Sequence, residues 1–135
     1  MIAMICLDDK NGYLFTKRRQ SQDSVLRSWM IEKAKDSALW MNAYSQKQFE
    51  NQMSPVIKTD EEFGSKAGKG EYCFFENVSP SDFSDRIEKL ILIKWNRVYP
   101  SDKKFTMDLS GFRLEKTEEF KGSSHDKITI EEYSI

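Results

Sequence analysis

Ile2-Ala3-Met4-Ile5-Cys6-Leu7 runs without a polar residue straight into Asp8-Asp9-Lys10-Asn11-Gly12-Tyr13. An apolar run of strand length, stopped by a polar turn with a glycine, reads as a strand buried on both faces. Such a strand belongs in the middle of a sheet, with helices covering it above and below. The rest of the chain is therefore read as what must surround it.

Leu90-Ile91-Leu92-Ile93, inside Glu88 to Trp95, is the strongest further strand. Glu71 to Glu76 and Ala38 to Met41 are two more, and Pro55 to Lys58 is a short one. Between the strands lie helical patterns. Ser21 or Asp23 can cap a helix running to about Lys35, with Val25, Leu26, Trp29 and Met30 on one face. Ser45 to Phe49 reads as a turn or two of helix. Thr59-Asp60-Glu61-Glu62 has the spacing of a capping box, and Ser79-Pro80 opens another short helix. Asp8 to Asp23 has no sustained apolar pattern and reads as a long polar loop hinged at Gly12. Phe112 to Phe120 and Ile128 to Tyr133 form an antiparallel pair joined by Lys121-Gly122-Ser123-Ser124. Alternating strands and helices followed by two closing strands predict one α/β domain over 1–135. It has three layers and a mixed, mostly parallel sheet of about seven or eight strands, with antiparallel strands at the C-terminus.

Composition limits the partners. Twenty-one basic and 22 acidic residues leave a net charge of −1, which argues against a dedicated nucleic-acid surface. The apolar N-terminal run is too short to span a membrane and lacks a basic leader, so a cytoplasmic protein without membrane association is expected. Cys6 and Cys73 read as reduced, buried thiols, and two Cys with one His make a poor zinc set.

This order of elements resembles the dihydrofolate reductase fold over nearly the whole chain. Ile2 to Leu7 resembles the family's first central strand, and Asn11-Gly12-Tyr13 the start of its mobile active-site loop. Leu39-Trp40-Met41-Asn42 stands at its second strand and the turn into a helix. Glu71 to Asn77 resembles the strand leading to its glycine doublet, and Leu90 to Lys94 the next strand. Tyr99 to Phe105 resembles its Gly-Asp-Thr-x-Phe-Pro segment, and Ser123-Ser124-His125 its last connection. The resemblance implies a cleft at the strand ends and NADPH as cofactor. Glu76-Asn77, however, occupies the place of the two glycines, and a carboxylate near a diphosphate costs roughly 1–4 kcal/mol. Ala43 replaces an Arg that holds a cofactor phosphate. NADPH is thereby disfavoured and the cofactor is left open. Chains of this length with a core like Arg18 to Asp23 are also sometimes labelled ribonuclease Z. That enzyme class is a two-zinc hydrolase needing several His and Asp ligands, and this chain has one His.

Arg18, Arg19 and Gln22 stand just before a helix start, where two guanidiniums and free N–H groups suit an anion; the alternative is a solvated loop. Asp23 falls where the fold would hold a buried acid, so desolvation would raise its pKa and make it a proton relay; the alternative is an ordinary helix cap. Asn42, Glu76 and Asn77 end two neighbouring strands, the usual ligand position in open α/β sheets. His125 reads as structural or solvated. Trp95-Asn96-Arg97 with Tyr99 either stacks on a base or closes a corner. The leading reading is a protein that binds a small anionic or nucleotide-like ligand in the cleft. The alternatives are a reductase with an altered cofactor site, a ribonuclease, and a non-catalytic interaction domain that forms a homodimer through an edge strand.

Overall fold

The computed structural model describes residues Met1–Ile135. Strand β1 (Ile2–Leu7) is central, as its composition requires: it pairs in parallel with β6 (Tyr72–Phe75) on one side and β7 (Lys89–Lys94) on the other. The remaining sheet strands are β4 (Leu39–Met41), β5 (Ile57–Thr59), β9 (Arg113–Phe120) and β10 (Ile128–Ser134). Their order is β5-β4-β6-β1-β7-β10-β9, parallel up to β7 and antiparallel beyond it.

The alternation of side chains splits the core in two. Met4, Phe74, Ile91 and Ile93 face Leu26, Met30 and Ala34 at helix α1 (Ser24–Lys33). Ala3, Ile5, Cys73, Phe75, Leu90 and Leu92 face the other way, against Phe63 and Ala67 at the short helix α3 (Phe63–Lys66). Both faces of the sheet are covered, which is why these strands carry no polar side of their own.

Three readings of the chain are corrected. The 8–23 segment is not a plain loop. It contains the hairpin β2 (Gly12–Phe15) and β3 (Arg18–Arg19), joined to β8 (Lys103–Lys104) in a second, three-stranded sheet. Thr16 and Lys17 turn the hairpin with φ of 49° and 65°. Such a turn favours Asn-Gly, so its sequence gives no warning. The Thr59 capping box does not form. Thr59 is the last residue of β5, paired with Met41, and Glu62 precedes α3 without a side-chain cap. The short strand expected at Pro55 starts two residues later, at Ile57. Asn42 caps the next helix, α2 (Ala43–Gln46), which continues as a 3-10 turn over Lys47–Phe49.

Candidate functional site

The loop arm that carries β2 and β3 is fastened at its base. Asp8, buried at the end of β1, accepts from the backbone N–H of Lys10, Gly12 and Tyr99. At the far end Asp23 caps α1, its Oδ1 accepting from the N–H of Val25 (3.0 Å) and Leu26 (3.1 Å). The same carboxylate accepts from the N–H of Ser123 (3.0 Å) and Ser124 (2.9 Å) in the β9–β10 connection. His125 Nδ1 lies 3.0 Å from Oδ2. A carboxylate only accepts, so Nδ1 donates, and in the neutral ring Nε2 accepts from the Tyr99 hydroxyl (2.9 Å), with the Ser21 hydroxyl 3.1 Å away. Trp95 stacks on the imidazole with ring centroids 4.4 Å apart.

This corrects the expected pKa of Asp23. Burial pushes the carboxyl up, but the His125 hydrogen bond and the N–H groups of Ser124, Ser123 and Leu26 outweigh it and hold the group well below the usual carboxylate range. A carboxyl so held keeps its charge and is a poor proton relay. It ties the start of α1 to the β9–β10 connection in one junction, and the buried His125 is part of the same set of bonds. Gly122 belongs to the junction. A Cβ there would stand 2.8 Å from Asp23 Cγ and 2.9 Å from Ile128 Cδ1. Gly122→Ala is expected to cost about 3 kcal/mol, the upper end for overpacking. Urea unfolding measures it, and a midpoint equal to that of the parent protein would show that the junction yields.

Glu76 is the acid whose pKa is raised. It directly follows β6, at the C-terminal end of the parallel strands, and is 8% exposed. Arg19, from β3, grips it through both oxygens, Nε to Oε2 at 2.9 Å and Nη2 to Oε1 at 3.1 Å, while Gln48 Nε2 donates at 2.8 Å. Burial wins over these donors and pushes the Glu76 carboxyl up. Arg19 also lies over the Tyr44 ring at 4.3 Å and donates to its carbonyl, and its own N–H donates to the Tyr44 hydroxyl. Beside Glu76, burial and the nearby carboxylate push the Cys6 thiol well up, so it is not a thiolate nucleophile. Cys6 and Cys73 are both free.

The two neighbouring strand ends are tied together, with Asn42 Nδ2 donating to Asn77 Oδ1 at 2.8 Å. Of the residues singled out in the sequence, Asn42, Glu76 and Asn77 thus meet at one edge, with Arg19 laid against Glu76. Arg18 is exposed on the hairpin and faces no cavity. Gln22 lies on the rim of a separate depression.

That depression, of about 280 Å³, opens between the start of α1 and the 47–51 segment. Arg19, Arg27 and Lys47 supply cations, Gln22, Gln48 and Asn51 supply amides, and Glu50 is its one acid. Arg27 donates through Nε to Gln52 Oε1 and through Nη1 to Gln22 Oε1, both neutral acceptors. Neither Arg27 nor Lys47 has a carboxylate partner. Desolvation lowers the Arg27 pKa accordingly. Reading the sequence missed Arg27, Lys47 and Asn51. The signal was the spacing of Lys47, Glu50 and Asn51, polar positions three and four apart facing the polar side of α1. No group of three or more His, Cys, Asp or Glu side chains converges as a metal site, and no helix is long and apolar enough to cross a membrane.

The element order, the strand order and the arm over the strand ends define the fold of dihydrofolate reductase. A dihydrofolate reductase from Enterococcus faecalis, solved with NADP(H) and RAB-propyl, superposes with a TM-score of 0.67 at 10% identity. The match covers 98% of this chain and 94% of that one. At that identity the likeness is one of fold. No family model matches the chain, and no curated protein matches it.

Proposed function

We propose that this protein binds a small anion in the depression between α1 and the 47–51 segment. The observation that carries the reading is Arg27, a half-buried guanidinium beside Lys47 with amide partners alone. No carboxylate touches this guanidinium, although Asp23 and Glu76 act on it from a distance and Glu50 shares the depression, so it is open to a carboxylate or phosphate, which it can grip through two parallel bonds. Arg19 joins through the one side-chain nitrogen, Nη1, that has no acceptor of its own. Gln22 orients Arg27. Asp23 holds α1 and the β9–β10 connection in place and so positions the depression without touching its contents. Arg18 takes no part.

A dinucleotide in the strand-end cleft is disfavoured by the same arrangement. Close approach of a pyrophosphate needs bare backbone. Here the backbone carries Glu76, committed to Arg19, and Asn77, committed to Asn42. The depression itself, at about 280 Å³, falls just short of the roughly 300–1,000 Å³ range of small-molecule sites, which suits a ligand much smaller than a dinucleotide. The cytoplasm remains the expected compartment.

Titration calorimetry with inorganic phosphate tests the reading. Arg27→Ala is expected to weaken binding at least tenfold, since hydrogen bonds to charged groups contribute about 1.5–3 kcal/mol. Arg18→Ala is expected to leave it unchanged. If NADPH raises the melting temperature while phosphate does not, the reductase with an altered cofactor site replaces this reading.

A further inference from the structure

We infer that the ligand of this depression is a phosphomonoester on a small hydroxylated, non-aromatic body, a sugar phosphate of pentose or hexose size. The inference rests on the anion reading above and narrows it from the hydrogen-bonding character of the walls.

None of the seven lining residues is hydrophobic. A nucleobase or other flat heteroaromatic gains its binding from apolar contact and stacking. The nearby aromatic ring, Tyr44, has the Arg19 guanidinium over it at 4.3 Å. A ring entering here would thus lose water on two faces against polar groups.

The walls also ask for more than an anion. Gln22 spends its oxygen on Arg27 and Gln48 spends its nitrogen on Glu76. These bonds leave the Gln22 amide nitrogen free as donor and the Gln48 amide oxygen free as acceptor, and both ends of the Asn51 amide are uncommitted. Glu50 adds a carboxylate, an acceptor alone. A phosphate offers acceptors and no lone donor at neutral pH beyond its second proton. It satisfies Arg27, Lys47 and Arg19 Nη1, but it leaves the Gln48 oxygen and Glu50 facing more oxygen. A hydroxyl both donates and accepts. Two or more hydroxyls a few bonds from the phosphate meet Glu50, Gln48 and Asn51 while the phosphate stays on the cations. The volume suits such a molecule and excludes a dinucleotide.

Calorimetry on the full chain with four probes decides it: inorganic phosphate, ribose, ribose 5-phosphate and adenosine 5′-monophosphate. The expected result is that ribose 5-phosphate binds at least tenfold tighter than phosphate, that ribose alone is not detected, and that the adenine base adds less than threefold. Glu50→Gln separates the roles within the site. It is expected to tighten inorganic phosphate severalfold, by removing a like charge, and to loosen ribose 5-phosphate by a similar factor. If ribose 5-phosphate binds no better than phosphate, the sugar is not recognised and this inference falls while the anion reading stands. If the nucleotide binds tenfold tighter than ribose 5-phosphate, the base is recognised and the inference falls in the other direction. If no phosphate-bearing probe binds at millimolar concentration, both readings fall together.

Discussion

Asp23→Ala is expected to destabilise the protein by about 4 kcal/mol at neutral pH, seen as a lower urea midpoint with an unchanged slope. A lost helix cap accounts for about 1 kcal/mol of this. The rest comes from the partners left behind: the N–H groups of Ser123 and Ser124 and the Nδ1–H of the buried His125, at about 1–3 kcal/mol for each donor stranded away from water. These costs overlap, because the β9–β10 connection can move to find water, so the sum is not fully reached. Asp23→Asn keeps the shape and one accepting oxygen, and should lose about half as much. A loss under about 1 kcal/mol for the alanine variant would mean that the junction is not closed in solution.

The pH profile separates Asp23 from Glu76. The folded pKa of Asp23 is depressed, so its contribution is present above the unfolded value of about 3.9 and is lost as the pH falls below it. The folded pKa of Glu76 is raised, so its ionised form costs stability; that cost is relieved as the pH falls from the raised value toward the ordinary one of about 4.3. Stability should therefore climb on mild acidification and drop below about pH 4. Asp23→Asn should flatten the drop and keep the climb.

What the sequence conveyed depended on the range of the interaction. β1, β6 and β7 were legible because burial on both faces leaves an unbroken apolar run, and the closing hairpin because its turn carries Gly122 between strands of period 2. The three-layer fold followed from those pieces. The arm's own strands were hidden because β2 and β3 are polar and their turn uses Thr16-Lys17. The capping box at Thr59 was a sound local signal overridden by the ladder to β4, where pairing with Met41 holds Thr59 in extended backbone. In the site, residue types were legible and partners were not. Asp23 meets His125 across 102 positions and Arg19 meets Glu76 across 57, and no local pattern encodes either distance. Asp23 and Glu76 therefore exchanged expected characters: the acid read as a relay is fixed in its charged form, and the acid read as an obstacle is the one that burial pushes toward protonation.

The exchange gives the arm's clasp a measurable signature. Arg19→Ala leaves Glu76 buried with only Gln48 and the neighbouring Ser45 hydroxyl beside it, and removing one partner of a buried pair costs about 3–5 kcal/mol. At neutral pH the variant should show most of that loss. As the pH falls toward 5 it should recover much of it, because Glu76 can shed its charge by taking a proton, an escape that a surface carboxylate does not need. Arg19→Met combined with Glu76→Leu should be more stable than Arg19→Ala alone, since two apolar groups of similar size need no solvation. A small, pH-independent loss for Arg19→Ala would mean that water reaches the pair. The clasp also sets how the depression works. Arg19 commits Nε and Nη2 to Glu76 and leaves Nη1 for an anion. Glu76→Gln releases the guanidinium without removing it, so phosphate should bind several times tighter to that variant than to the parent protein, even as the arm becomes less firmly held. Tighter binding with a looser arm is an outcome that a purely structural salt bridge would not give.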